Sequence, residues 1–393
     1  MNRPCWRPEV LIPGLIMVVF LCDVAGRFVR LDPLAFRGDE ALMQFHSDFL
    51  PGPFEPNRRY RNARIWGDIT NRCNLPEYRV FRGQTFTTDD LGFRNPSNQR
   101  GEPPEILMIG SSFTVGSGNS DEETLPARLQ ALSGCRTYNA GIPYLDADSS
   151  LPTDSIETLA RRCGMQGGLI ILECLERRLG SPIAKSPVVK QSRWPRFLEP
   201  IRELKRWAIS RWWVSPLQVF FERVYQSFQN DIVLPNIHRD LASVRELVDG
   251  ETMLFSNDLK APRNLEILRE NLENYAKTRD RLRAAGFDFA IVIVPEKPTV
   301  YDPLLRDPIG EETTGLIAIA ELERLARARA ISVVNLTPVL QARARQAIQA
   351  RETIYWTDDS HWNARGIEAA AETLRDTLGL KDRCARVPTL TGP

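Results

Sequence analysis

Histidine is scarce in this chain of 393 residues: His46, His238 and His361 are its only three copies. A metal centre built from several imidazoles is thereby all but excluded. The seven cysteines contain no C-x-x-C pair and no zinc spacing. Neither sign of charge prevails, with Lys+Arg at 51 and Asp+Glu at 50, so no chain-wide basic field exists to draw in nucleic acid. Internal repeats and low-complexity tracts are also missing. What remains is an ordinary globular balance, 42% hydrophobic and 26% charged, in a chain long enough for a main domain with appendages.

The N-terminus bears on compartment. Arg3 and Arg7 precede the uncharged apolar run Val10 to Cys22, and Asp23 and Arg27 close it. A charged start before a short apolar core reads as a secretory signal or a signal anchor. The run is shorter than the roughly 20 residues of a usual span. The expectation is residues 1–27 as a signal anchor or signal peptide, a single pass of the inner (cytoplasmic) membrane, and a body facing the periplasm or cell exterior. Export permits disulfides. The candidates are Cys73, Cys135, Cys163, Cys174 and Cys384, with their pairing open. Cys174 lies in an apolar strand pattern and reads as a core thiol.

Residues 28–104 are rich in Arg, Pro, Asn and Gly and read as a small irregular region with short strands, such as Tyr78 to Thr87. From residue 105 strands and helices alternate. Ile106 to Ile109 is a short apolar run suited to a buried parallel strand. Helices are expected over Thr124 to Leu132 and Thr153 to Arg162, and strands over Arg136 to Asn139 and Leu169 to Leu172. The rhythm breaks over 180–262, read as a mostly helical insertion. From Lys185 to Arg223 nine Lys/Arg face three Glu, interleaved with Trp and Phe. That stretch could grip an anionic surface or stack on sugar rings, or simply pack an amphipathic helix. Over 263–380 the alternation resumes, with a strand at Phe287 to Val294, another at Ile331 to Asn335, and a last helix from Asn363 to Leu378. Residues 381–393 form a tail. The fold class is α/β: a three-layer α/β/α, flavodoxin-like arrangement with a parallel sheet.

Two constellations carry chemistry. Gly110-Ser111-Ser112-Phe113-Thr114 directly follows the first apolar strand. A Ser at a strand end can be displayed as a nucleophile, with backbone N–H groups of the next turn facing a developing oxyanion. Asp358-Asp359-Ser360-His361-Trp362-Asn363 precedes the last helix. A Ser needs a base, and the base needs a carboxylate to set its tautomer. Each segment also has a plain structural reading, a Ser/Gly turn and an N-cap cluster headed by Asn363. Their pairing at the carboxyl edge of one parallel sheet favours a site. His46 and His238 have no partners at useful spacing and read as structural.

Gly110 to Phe113 with Gly116, and Asp121 to Pro126 after them, resemble the first sequence block of the SGNH (GDSL-type) hydrolase superfamily. Asn139-Ala140-Gly141 resembles its second block and Asp358 to Gly366 its last. Val294 to Tyr301, and the acid-x-His-Trp-Asn form of the last block, resemble the periplasmic alginate-type O-acetyltransferase branch. The resemblance implies Ser112 as nucleophile and His361 as base. The acid is Asp358 by the superfamily's spacing and Asp359 by that of the branch. It also implies an oxyanion hole of the Ser112 and Gly141 amides, with Trp362 and Asn363 lining the substrate. Leu172 to Arg177 stand where the family carries an Asn. Arg177 then either completes the oxyanion hole or makes a structural ion pair. The reaction implied is acyl-ester chemistry through an acyl-enzyme, without cofactor or metal. It would be O-acetyl transfer to an extracellular or cell-wall polysaccharide, alongside a membrane-embedded acyl donor protein. The alternatives are a carbohydrate acetyl esterase and a non-catalytic glycan-binding or assembly subunit.

Overall fold

The computed structural model describes residues 8–26, 36–44, 52–96, 102–143, 153–180, 239–257, 264–310 and 315–385, with isolated positions between 217 and 224. Its centre is a five-stranded parallel sheet. The strands are β3 (Ile106–Gly110), β4 (Thr137–Gly141), β5 (Gly168–Leu175), β8 (Phe287–Val294) and β9 (Ser332–Asn335), in the order β4-β3-β5-β8-β9. Helices cover both faces, so the strands are continuous apolar runs rather than alternating ones. In β3, Ile106 and Met108 join one core with Leu125, Leu129, Ile367 and Leu374, while Leu107 and Ile109 join the other with Ile156, Leu159, Leu272 and Leu322. This is the three-layer α/β/α expected from the sequence. The helix and strand limits fall within a few residues of those expected, as in Thr153–Arg162 and Phe287–Val294.

The order reverses around β3. The chain leaves β3 for β4 on one side and crosses back to β5 on the other. The carboxyl end of β3 is therefore the switch point where open α/β sheets bind ligands.

Two antiparallel hairpins sit against that edge. The first pairs β1 (Arg59–Ile65) with β2 (Arg82–Thr87), placing Tyr60 opposite Phe86. Tyr60, Phe86, Phe54 and Leu42 form a small core with Val115, which belongs to the turn after β3. The second pairs β6 (Ala242–Glu246) with β7 (Thr252–Ser256). The helical reading of 180–262 is thus corrected over residues 242–256. Thr252-Met253-Leu254-Phe255-Ser256 buries Met253 to Phe255 together against the body and so pays no heed to a helical period. The isolated positions 217, 220, 221 and 224 are helical, and the basic, Trp-rich stretch lies outside the described residues.

Pro8–Gly26 forms a helix with Ile12 and Leu15 to Leu21 exposed. Among the described residues, no helix is long and apolar enough to cross a membrane.

Cys135, just before β4, is disulfide-bonded to Cys384 in the short C-terminal helix Leu380–Ala385, a sequence separation of 249. Cys163 and Cys174 are free thiols. Closing so long a loop restricts the unfolded chain, and losing the bridge is expected to cost roughly 2–5 kcal/mol. Thermal unfolding of Cys384→Ser against the oxidised parent checks this, and an unchanged Tm would refute it.

Candidate active site

The turn after β3 is built for close contact. A Cβ on Gly110 would lie 2.2 Å from Thr114 Oγ1 and 2.4 Å from Glu173 Oε2, so only glycine fits there. Ser111 caps the one-turn helix Ser112–Val115, accepting from the Phe113 N–H, and Gly116 ends it with φ 80°. Glu173 of β5 clamps this turn from below. It accepts from Ser111 Oγ at 2.6 Å, Ser111 N at 3.1 Å, Thr114 N at 2.9 Å and Thr114 Oγ1 at 2.5 Å. This carboxylate, one of the two in the segment standing where the family carries an Asn, is thus a strut for the Ser112 turn.

The second loop arrives from the far end of the chain. Its ends are pinned by the Tyr355–Trp362 bridge and by Asn363, whose Oδ1 accepts from Arg365 N and Gly366 N at the start of the helix Ala364–Thr377. His361 Nε2 lies 2.8 Å from Ser112 Oγ, and His361 Nδ1 lies 2.8 Å from Asp359 Oδ1. The imidazole also packs on the Phe113 ring, 4.8 Å between centroids.

The two acids have different surroundings. Asp359 faces the imidazole, while its Oδ2 accepts from Arg82 Nη2 at 2.6 Å and from Arg37 Nη2. Burial pushes this carboxyl up, but Arg37, His361 and Arg82 more than reverse that and hold it well below the usual range. Asp358 instead accepts from the N–H groups of Gly67 at 2.6 Å and Val80 at 2.9 Å, and from Arg82 Nη1 at 3.1 Å. Its contacts are with the N-terminal region. A Cβ on Gly67 would sit 1.8 Å from the Asp358 carbonyl oxygen, so this docking needs glycine.

A third carboxylate approaches the ring. Asp68 accepts from Ser360 N at 2.8 Å and from Ser360 Oγ, and its Oδ2 lies 3.6 Å from His361 Nδ1. Asp68, Asp359 and His361 bring ligand-type atoms within 4.8 Å of one another. Both Asp359 oxygens already accept from His361, Arg37 and Arg82, which suits an anion that orients the imidazole better than a cation cage. Burial draws the imidazole pKa down, but the Asp359 hydrogen bond and charge, helped by Asp68 against Arg37, leave it raised above 6.5. A base must be neutral to take a proton. Activity that depends on His361 is therefore expected to fall as pH drops through a value above 6.5. Asp68→Asn, which removes one of the negative charges facing the ring, should move that limb to lower pH. A pH profile of kcat/KM that is identical in the two proteins would exclude a role for Asp68.

Other expected site residues fall elsewhere. The Gly141 N–H donates to Asn139 Oδ1 at 2.9 Å, so it is engaged within its own strand end. A Cβ there would come within 2.5 Å of Val115 N, so Gly141 serves close packing on the Ser112 turn. Among the described residues, no hydrogen bond takes up the Ser112 N–H. Arg177 donates to Glu296 Oε1 at 2.7 Å, the structural ion pair rather than an oxyanion donor. Trp362 is fully buried against Phe113, and Asn363 is spent on its helix cap. Neither side chain is placed to line a substrate. His46 and His238 lie outside the described residues.

Sequence reasoning missed Arg37, Asp68 and Arg82. They come from three separate N-terminal segments, and Arg37 and Asp359 are 322 positions apart. No local spacing links such residues. The high Arg content of the region was a signal for the two arginines, and nothing in the sequence pointed to Asp68.

Parts of the chain are similar to known proteins. Residues 253–389 match the family model described as the SGNH hydrolase-like domain of acetyltransferase AlgX. A stretch of 113 residues is 30% identical to the Pseudomonas putida protein named "Probable alginate O-acetylase AlgJ", covering 29% of this chain and 28% of that one. The chain therefore spans little more than a quarter of the relative it matches. Among solved structures, a carbohydrate acetylesterase family member from Sinorhizobium meliloti is 13% identical with a TM-score of 0.31, over 70% of this chain and 99% of that one. The acetyl xylan esterase AlAXEase is 9% identical with a TM-score of 0.33, again over 70% and 99%.

Proposed function

We propose that this chain, SGNH hydrolase-like in its fold and its terminal sequence blocks, is an acyl-ester enzyme that transfers acetyl groups to hydroxyls of an extracellular or cell-wall polysaccharide. The observation that carries the reading is the unbroken line of contacts from Ser112 Oγ to His361 Nε2 (2.8 Å) and from His361 Nδ1 to Asp359 Oδ1 (2.8 Å).

Ser112 Oγ attacks the carbonyl carbon of an acetyl ester while His361 Nε2 takes its proton. Asp359 holds the ring with Nδ1–H turned inward and steadies the imidazolium. The Ser112 N–H, at the first position of its helical turn, is available to the developing oxyanion. Collapse releases the alcohol, which receives the proton from His361 and leaves acetyl-Ser112. A sugar hydroxyl, deprotonated by the same imidazole, then attacks the acyl-enzyme and regenerates Ser112. The reading of acceptor as polysaccharide is supported by the AlgX-type domain and by the relative named for alginate O-acetylation. Water in place of the sugar makes the enzyme an esterase, so exclusion of water decides between the two outcomes.

We place the chain outside the cytoplasm, tethered through its N-terminal segment and working beside a membrane-embedded acyl donor. Support comes from the charged start before an apolar run, the exposed apolar side chains of Pro8–Gly26 and the Cys135–Cys384 disulfide.

The test is to incubate the protein with p-nitrophenyl acetate, quench, and map acetyl groups by mass spectrometry, with and without a soluble oligosaccharide acceptor. Acetyl on Ser112 that moves to the sugar supports transfer. Acetate released in full despite the acceptor assigns an esterase. An unlabelled Ser112 with no turnover sinks the acyl-enzyme.

A further inference from the structure

Lys297 lies in the segment Val294 to Tyr301, which the chemistry above does not use. It follows β8 directly, at the first position of the short helix Lys297–Tyr301. Its side chain is 2% exposed. Lysine is almost never fully buried unless its ammonium is paired.

The Nζ atom is bonded to backbone carbonyls instead of a carboxylate: Leu254 O at 2.7 Å, Trp356 O at 2.8 Å, Asp359 O at 2.9 Å and Thr357 O at 3.2 Å. Three of the four belong to the loop that carries Asp359 and His361. The fourth is on β7, which is itself tied to that loop by Leu254 N donating to Thr357 O at 2.9 Å. The Phe255 ring faces the same ammonium at 5.3 Å. Carbonyl dipoles turned onto one point repel unless a cation lies between them. An ammonium has three N–H groups for these four oxygens, so none is left for proton transfer.

We propose that Lys297 is a positioning residue: its ammonium acts as a built-in cation that gathers the Trp356, Thr357 and Asp359 carbonyls and so holds the Asp359 carboxylate against His361 Nδ1. The inference rests on the acyl-enzyme reading for its kinetic arm only. The side chains of Asp358 and Asp359 are held by Gly67 N, Val80 N, Arg37 and Arg82, while the loop's carbonyls at 356, 357 and 359 converge on the Lys297 ammonium. The loop lies between β7 and the start of the Lys297 helix, and the lysine spans both. Burial lowers the ammonium pKa to about 7, opposed by Asp359, Asp358 and Asp68 and reinforced by Arg82.

The experiment uses the full chain with Lys297→Met and Lys297→Gln, alone and combined with Asp359→Asn. Lys297→Met should lower kcat on p-nitrophenyl acetate about 100-fold with KM little changed, the scale of loss for a misplaced reacting group. In the Asp359→Asn background the same change should cost no more than about twofold, because the two act through one contact. The low-field proton resonance of the hydrogen-bonded imidazole Nδ1–H should be present in the parent and absent from Lys297→Met, a readout that needs no turnover. Wild-type kcat with an intact resonance overturns the proposal, and so do losses that multiply in the double variant. Should Lys297→Met not fold, Lys297→Gln, which keeps amide donors but no charge, decides: wild-type kcat in a folded protein overturns it, and a lowered kcat at constant KM supports it. Turnover that survives Ser112→Ala sinks the acyl-enzyme reading instead and leaves the resonance as the test of Lys297.

Discussion

Ser112→Ala is expected to reduce kcat for acetyl-ester turnover by about 10⁶-fold, the scale seen when a hydroxyl nucleophile is removed from a working triad. The reason is local. Alanine keeps the capped turn, because Ser111 and Thr114, not Ser112, carry the bonds to Glu173. The Ser112 side chain is instead directed at His361 Nε2, so its removal leaves the base with nothing to deprotonate. Folding should be unaffected, and an unchanged circular dichroism spectrum and Tm would verify that. Turnover within about tenfold of the parent would mean that hydrolysis occurs at another residue.

The second large effect separates two adjacent acids. Asp359→Asn should lower kcat about 10⁴-fold, because Arg37 and Arg82 would take the amide oxygen, leaving its NH2 to donate to Nδ1 and hold the ring in the wrong tautomer, and an amide offers no charge to the imidazolium. It also leaves Arg37 and Arg82, both buried, facing a neutral group, so a fall in Tm should accompany the kinetic loss. Asp358→Asn should show the reverse balance. Its oxygens serve Gly67 N, Val80 N and Arg82, so stability should fall by about 1–3 kcal/mol, the cost of leaving buried donors poorly matched. The kcat of the folded fraction should drop far less than for Asp359→Asn. Equal kinetic losses in the two variants would contradict the assignment of Asp359 to the imidazole.

Much of this site was legible from residues that are neighbours in sequence. A Ser at the end of an apolar strand and an acid-x-His before a helix are short-range signals. So is the N-cap at Asn363, whose plain structural reading prevailed over a substrate role. The choice between Asp358 and Asp359 was not legible, since both stand on one tight loop and differ only in what docks on each. The Gly141 N–H, expected to face an oxyanion, is engaged by Asn139, and Arg177, open between an oxyanion role and a structural ion pair, pairs with Glu296. Lys297 stood in a segment already singled out, but nothing in its neighbours indicates that its ammonium is received by a loop some 60 positions further along.

The layers and the two loops were already implied by the pattern of residues along the chain. Apolar runs of strand length between amphipathic helices can bury their surface only as a covered parallel sheet, and glycines and caps at the strand and helix ends state where the chain must turn. Tertiary structure alone decided which carboxylate meets the imidazole, which cations face that carboxylate, and what steadies the loop that bears it. Those outcomes depend on charges brought within a few ångströms by chain segments up to 322 positions apart. Coulomb and hydrogen-bond energies follow distance in space, on which spacing along the chain is silent.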